Sequence, residues 1–108
     1  MKLYIGGAYQ GQDEIARREN PASEIFYDFH ETVLELLKNG EDPQEYAWRL
    51  VWEKPDCVVV ANEVGSGVVP IDVEDRAFRE SVGRALCILA QQSDTVVRAV
   101  CGIGVRIK

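Results

Sequence analysis

The chain has 108 residues, 46% of them hydrophobic and 28% charged, with a formal net charge of −6 at pH 7. This length fits a single domain over 1–108 with one core, and the composition excludes a disordered chain. The acidic balance repels polyphosphate at long range, which sets nucleic acid aside as a partner, and no apolar run approaches the roughly 20 residues of a membrane span.

The opening MKLYIGGAY has too short an apolar run for a signal peptide. The three cysteines, Cys57, Cys87 and Cys101, are odd in number, form no C-x-x-C pair and each sits in an apolar run. Buried free thiols in a reducing cytoplasm are the expectation. With His30 as the sole histidine, a cysteine–histidine metal site is disfavoured.

In chain order, Lys2–Ile5 reads as a first strand and Gly6–Gly11 as a turn. Asp13–Glu19 reads as a short helix, broken by Asn20-Pro21, with Ser23 as the cap of the next helix. Phe26, Phe29, Val33, Leu36 and Leu37 recur at helical spacing, and Asn39-Gly40 ends that helix. Asp42, Pro43 and Glu45 form the N-cap, first position and capping-box partner of another helix through Trp52. Lys54-Pro55-Asp56 stops it.

Cys57–Ala61 is a continuous β-branched run, suited to a strand buried on both faces. A glycine-containing loop comes next, EVGSGVVP. Asp72 caps a long helix to about Gln92, with Val73, Ala77, Val82, Leu86 and Leu89 on its inner stripe. Thr95–Cys101 is a third strand, and GIGVRIK a loop with a short fourth. This alternation predicts an α/β fold, a small mainly parallel sheet with helices on both faces.

Three glycine loops, GGAYQG, EVGSGVVP and GIG, then come after three strands and gather on one sheet edge, where ligands bind in such folds. Glycine lets backbone N–H groups approach an anion, and a helix after the loop adds its positive end. Ordinary tight turns between strands and helices account for the same glycines. The spacing Gly6-x-x-x-x-Gly11 matches a phosphate-binding loop, in which the next two residues are Lys and Ser or Thr. Here they are Gln12 and Asp13.

Taken together, the loops resemble the adenosylcobinamide kinase/adenosylcobinamide-phosphate guanylyltransferase family of cobalamin biosynthesis. VVVANEVGSGVVP is similar to the family's N-E-V-G-x-G-[IV]-V-P segment. FRESVGRALCILAQQSDTVVRAVCGIGVRIK resembles its F-R-D-x-x-G-R-x-N-Q-x-x-A helix, its strand and its G-I-G-V-K-I-K tail, and GGAYQGQ aligns with its phosphate loop. The resemblance covers about half of the chain. It implies a P-loop NTPase-like α/β domain, shortened in the middle, that uses Mg²⁺ with ATP or GTP and acts on a corrinoid. It places Gly6, Gly7, Ala8, Tyr9, Gln10, Gly11, Gln12 and Asp13 at the nucleotide, Asp13 at the metal, and Glu63, Arg79 and Arg84 at phosphate or metal.

Four departures accompany it. Gln12 donates hydrogen bonds but lacks the lysine's charge. Asp13 replaces a metal-binding hydroxyl with a carboxylate, which binds Mg²⁺ directly or repels bare phosphate. Residues 20–56 read as helices, where the family carries further strands with an acidic metal ligand and the guanylyl-accepting histidine. His30 reads as the flank of a packed helix rather than that acceptor. Leu86 stands where the family has asparagine. Glu63 doubles as a turn cap, and Arg76, Arg79 and Arg84 as a solvated helix face.

Three readings are compatible with this pattern: a compact cobinamide kinase-like transferase, a non-catalytic homologue that binds nucleotide or corrinoid weakly, or a structural domain with no ligand. The helix EYAWRLVWE carries two apolar stripes, with Trp48 and Trp52 forming a ridge beside the inner one. That pattern predicts a homo-oligomer contact, the alternative being indoles covered by the ENPAS segment.

Overall fold

Short β-branched runs build the sheet, and helices with one apolar stripe cover it. The computed structural model describes residues 1–63 and 73–108, for residues 73–75 without side chains. Its elements are β1 (Lys2–Gly6), α1 (Gln12–Glu19), β2 (Ile25–Phe26), α2 (Phe29–Lys38), α3 (Pro43–Glu53), β3 (Val58–Asn62), α4 (Val73–Gln92), β4 (Thr95–Val100) and β5 (Ile103–Arg106). The strand order is β2-β3-β1-β4-β5. Strand β1 runs parallel to both β3 and β4, β3 runs parallel to β2, and among the described residues only the β4–β5 pair is antiparallel. The three expected strands are adjacent and parallel, and the α/β, P-loop NTPase-like class is borne out.

The sheet is larger than its sequence suggests. Ile25–Phe26 is a strand paired with Val58–Val59, not the start of a helix. Phe26 falls at helical spacing from Phe29, and two residues are too few to show strand alternation. Helix α2 begins only after Asp28, which has φ 53° and, not Ser23, is its N-cap.

Alternation along the strands sends side chains to two layers. Leu3, Val59 and Val96 meet Phe29, Val33, Ala47, Leu50, Val82 and Leu89 from α2, α3 and α4. Tyr4, Val58, Val60, Val97 and Ala99 meet Ile15 and Ala16 of α1 on the other face. Each fully buried Val, Leu or Phe contributes about 1.5–3 kcal/mol relative to exposure.

The cap of α3 agrees with the sequence. Asp42 accepts from the Gln44 backbone N–H at 3.0 Å, and Pro43 opens α3. Helix α1 ends at Asn20, whose Nδ2 donates to Ala16 O and to Tyr4 Oη, both at 2.9 Å, while Tyr4 Oη donates to Glu19 Oε1 at 2.7 Å. This cluster fastens the end of α1 to the centre of the sheet. At the end of α4, Lys108 Nζ donates to Ala90 O at 3.0 Å and Gln91 O at 2.9 Å, a cation on the carbonyls at the negative end of the helix.

Two expectations need correction. The inner stripe of α4 runs through Phe78, Val82, Ala85 and Leu89, with Leu86 partly buried, whereas Ala77 is exposed. Asp72 and the side chain of Val73 lie outside the described residues. Of the thiols only Cys57 is buried; Cys87 faces outward from α4 and Cys101 sits in the turn after β4. An apolar run of sequence does not fix burial on the outer face of a helix or in a turn. Burial pushes the Cys57 thiol above its ordinary value. Among the described residues no helix is long and apolar enough to cross a membrane.

Candidate nucleotide site at the glycine edge

Because β1, β3 and β4 are parallel, the segments that leave their carboxyl ends share one edge. Three hydrogen bonds lock them together. The Glu63 backbone N–H donates to Gly6 O at 2.7 Å, Gly102 N–H to Gln10 O at 2.9 Å, and Cys101 N–H to Gln10 Oε1 at 2.7 Å. Gln10 is thus the tie between the first loop and the turn after β4. The middle loop, with Gly65 and Gly67, lies outside the described residues.

Glycine is required at two points here. Gly11 has φ 91°, and a Cβ on it would stand 3.3 Å from Gly102 Cα. A Cβ on Gly6 would stand 2.9 Å from Ala99 O, a backbone atom that cannot swing aside. Tyr9 has φ 62° without being glycine and projects fully into solvent. A left-handed residue of this kind costs roughly 1–2 kcal/mol, which the loop bears at its tip.

Gln12 is only 4% exposed and turns inward beneath the loop. Its Nε2 lies 2.8 Å from Asn62 Oδ1, 3.1 Å from Gly7 O, 3.2 Å from Gly6 O and 3.5 Å from Ala61 O. Four oxygens around one nitrogen would suit an ammonium ion, and a neutral amide with two protons meets them without a buried charge.

Beside it opens a cavity of about 400 Å³, lined by Tyr9, Gly11, Gln12, Asp13, Glu14, Arg17, Asp28 and Asn62. Its charged lining is three carboxylates against one guanidinium, and Arg17 itself lies 5.7 Å from the centre of the Tyr27 ring. Sequence reasoning missed Asp28 because it comes after a strand too short to announce itself; an acidic residue directly after Ile-Phe-Tyr was the available signal.

His30 is half-buried on α2, and its Nδ1 accepts from the Asn62 backbone N–H at 3.1 Å, placing its proton on Nε2. It therefore pins α2 to the end of β3, next to the side chain that holds Gln12. Glu63 leaves the same strand end and pairs with Arg98 at 3.2 Å. Arg84 pairs with Glu80 at 3.0 Å on the exposed face of α4, and neither Arg84 nor the half-buried Arg79 lines the cavity. Ala8 lies exposed on the loop, and Gly7 is half-buried.

Residues 40–107, α3 through β5, match the family model of cobinamide kinase / cobinamide phosphate guanyltransferase. The chain is 49% identical over 51 residues to the bifunctional adenosylcobalamin biosynthesis protein CobU of Salmonella typhimurium. It is 47% identical over 51 residues to the protein of the same description from Escherichia coli. Each alignment takes in 47% of this chain and 28% of the relative, so the chain matches less than a third of either relative's length. With well over half of its residues inside the family match, the chain belongs to the cobinamide kinase / cobinamide phosphate guanyltransferase family.

Proposed function

We propose that the chain binds a magnesium nucleotide at the glycine edge and serves cobalamin biosynthesis as a cobinamide kinase/guanylyltransferase-like protein, with a corrinoid as the second ligand. The observation that supports this most is the convergence of the loop 7–11, the end of β3 and the turn Cys101–Gly102, with Gln12 buried beneath them. Carboxylates are donors of the kind a hard cation takes. Asp13 and Asp28 both offer carboxylate oxygens to one cavity, and Mg²⁺ takes one or two carboxylates with phosphate and water oxygens completing the set. When bound, Mg²⁺ would neutralise phosphate charge. The chain's own part is to present backbone N–H groups from the loop and to hold the loop in shape through Gln10 and Gln12.

The acidic lining favours a second reading, a homologue that binds without transfer. Without metal, Asp13, Glu14 and Asp28 repel phosphate, and a neutral Gln12 adds nothing to oppose them. Calorimetric titration with ATP and GTP, with and without Mg²⁺, tests binding; transfer of labelled phosphate to cobinamide separates the readings. Metal-dependent binding in the high-micromolar range with label transfer supports the transferase. Binding without transfer supports the second reading, and tight binding without metal contradicts both.

The protein is also proposed to self-associate, in the cytoplasm, through the face of α3 that carries Trp48 and Trp52. These indoles are 42% and 81% exposed, so the ENPAS segment does not cover them.

A further inference from the structure

Resting on the reading of the glycine edge as a nucleotide site, we infer that Arg17 is its phosphate-binding cation: the guanidinium, held on the ring of Tyr27, meets the phosphates of a magnesium-bound nucleoside polyphosphate. Residues 6–13 contain no Lys or Arg, so the loop itself brings no positive side chain. Among the described residues, Arg17 is the one cation on the cavity wall.

Arg17 is exposed on α1, the helix that the loop opens. Side chains on a helix lean toward its N-terminus, which brings Arg17 back to the cavity that Gly11 and Gln12 line. It comes four residues after Asp13 and three after Glu14, the spacings at which helical ion pairs form. Among the described residues its guanidinium nevertheless makes no ion pair or hydrogen bond. It lies over the Tyr27 ring, 5.7 Å from the centre. Tyr27 directly follows β2 and packs against the buried cluster of Tyr4, Ile15 and Val58. The platform is thus fixed by the core, and the cation on it faces the cavity.

This arrangement keeps the donors of the guanidinium unspent. A ring face attracts a cation without taking its N–H groups. The planar fork therefore stays available, and its geometry matches phosphate oxygens in pairs. An ion pair with Asp13 or Glu14 would have used the same donors. Charge agrees with the assignment. The wall carries three carboxylates and this guanidinium, which one divalent cation brings to neutrality. Without Arg17 the wall would stay negative as the phosphates arrive, and they would be repelled.

Titrations with Mg²⁺-ATP and with Mg²⁺-tripolyphosphate, which has no base or ribose, test this. Backbone amide shifts of the isotope-labelled chain read affinities into the millimolar range, and circular dichroism with thermal melts verifies that each variant folds. Arg17→Gln keeps helix propensity and should weaken both ligands alike, by about tenfold or more. Arg17→Lys keeps the charge without the fork and should fall between. Tyr27→Leu removes the platform and should weaken binding by about two- to fivefold, while Tyr27→Phe should bind as the natural chain does. In the Arg17→Gln background, Tyr27→Leu should cause no further loss, because the ring acts through the guanidinium. Equal or tighter binding by Arg17→Gln overturns the inference and leaves the nucleotide site standing. A loss with ATP but none with tripolyphosphate places the guanidinium on base or ribose and overturns it as well. An equal effect of Tyr27→Leu in both backgrounds overturns the platform. A natural chain that binds neither ligand overturns the nucleotide reading and the inference together.

Discussion

Gln12 Nε2 and Asn62 Oδ1 meet 2.8 Å apart beneath the glycine loop, joining the first turn of α1 to the end of β3. The same nitrogen serves Gly6 O and Gly7 O, so one side chain holds the loop from below. Gln12→Ala should leave these oxygens short of a donor and destabilise the fold by about 1–3 kcal/mol. Gln12→Lys should cost much less, because an ammonium finds four oxygens around it. Urea denaturation of the two variants checks the order; equal losses would mean that the cage does not matter.

Nucleotide affinity should rise when a positive charge is placed here. Gln12→Lys/Asp13→Ser introduces a cation and removes a carboxylate from the cavity, and Mg²⁺-nucleotide affinity should increase by about tenfold or more, a change of only about 1.4 kcal/mol. Asp28→Asn should weaken the Mg²⁺ dependence while sparing stability, since Asp28 is exposed. Calorimetry with ATP and GTP reads both effects. No gain from the double replacement would show that the loop is not a phosphate cradle.

The sheet centre, the cap of α3 and the meeting of the first and last glycine turns were legible because each rests on a local rule: a β-branched run, an Asp-Pro pair, a glycine after a strand. Strand β2 was not, because two residues borrow their extended shape from β3 rather than from their own pattern. Asp28 was lost with it. The distant partners of Gln10 and Gln12, namely Ala61, Asn62, Cys101 and Gly102, were also illegible, since they depend on how β3 and β4 flank β1. The exposure of Trp48 and Trp52 was foreseeable from helical geometry alone, because the opposite stripe, Ala47 and Leu50, already fills the core.

Two glycine-to-alanine replacements should have opposite signs. Gly6→Ala drives a Cβ to 2.9 Å from Ala99 O and 3.3 Å from Ala99 Cβ, forcing β1 and β4 apart at the loop, and should destabilise by about 1–3 kcal/mol. Gly83→Ala meets nothing within 4 Å on the exposed side of α4 and should stabilise by about 0.5–1 kcal/mol through helix propensity. Thermal unfolding of both variants beside the natural chain decides; a neutral Gly6→Ala would show that the strand pair yields more easily than its geometry implies.

At high pH a buried phenol should couple folding to proton loss. Tyr4 is 1% exposed, and its hydroxyl donates to Glu19 while accepting from Asn20. Burial, reinforced by the hydrogen bond to Glu19, raises its pKa above the ordinary 10.0. The folded state therefore holds the phenolic proton more tightly than the unfolded chain does. The resulting stability is complete below pH 10 and is lost as pH climbs through the raised folded value. Cys57 behaves alike from its ordinary 9.0, so its share begins to fall about one unit earlier. Tyr4→Phe should cost about 1 kcal/mol near neutral pH for the lost hydrogen bonds and then decline less steeply than the natural chain above pH 10. Cys57→Ala should remove the earlier part of the decline. Urea unfolding between pH 7 and pH 11 measures all three curves. If the natural chain and Tyr4→Phe fall in parallel, the buried phenol does not couple folding to pH.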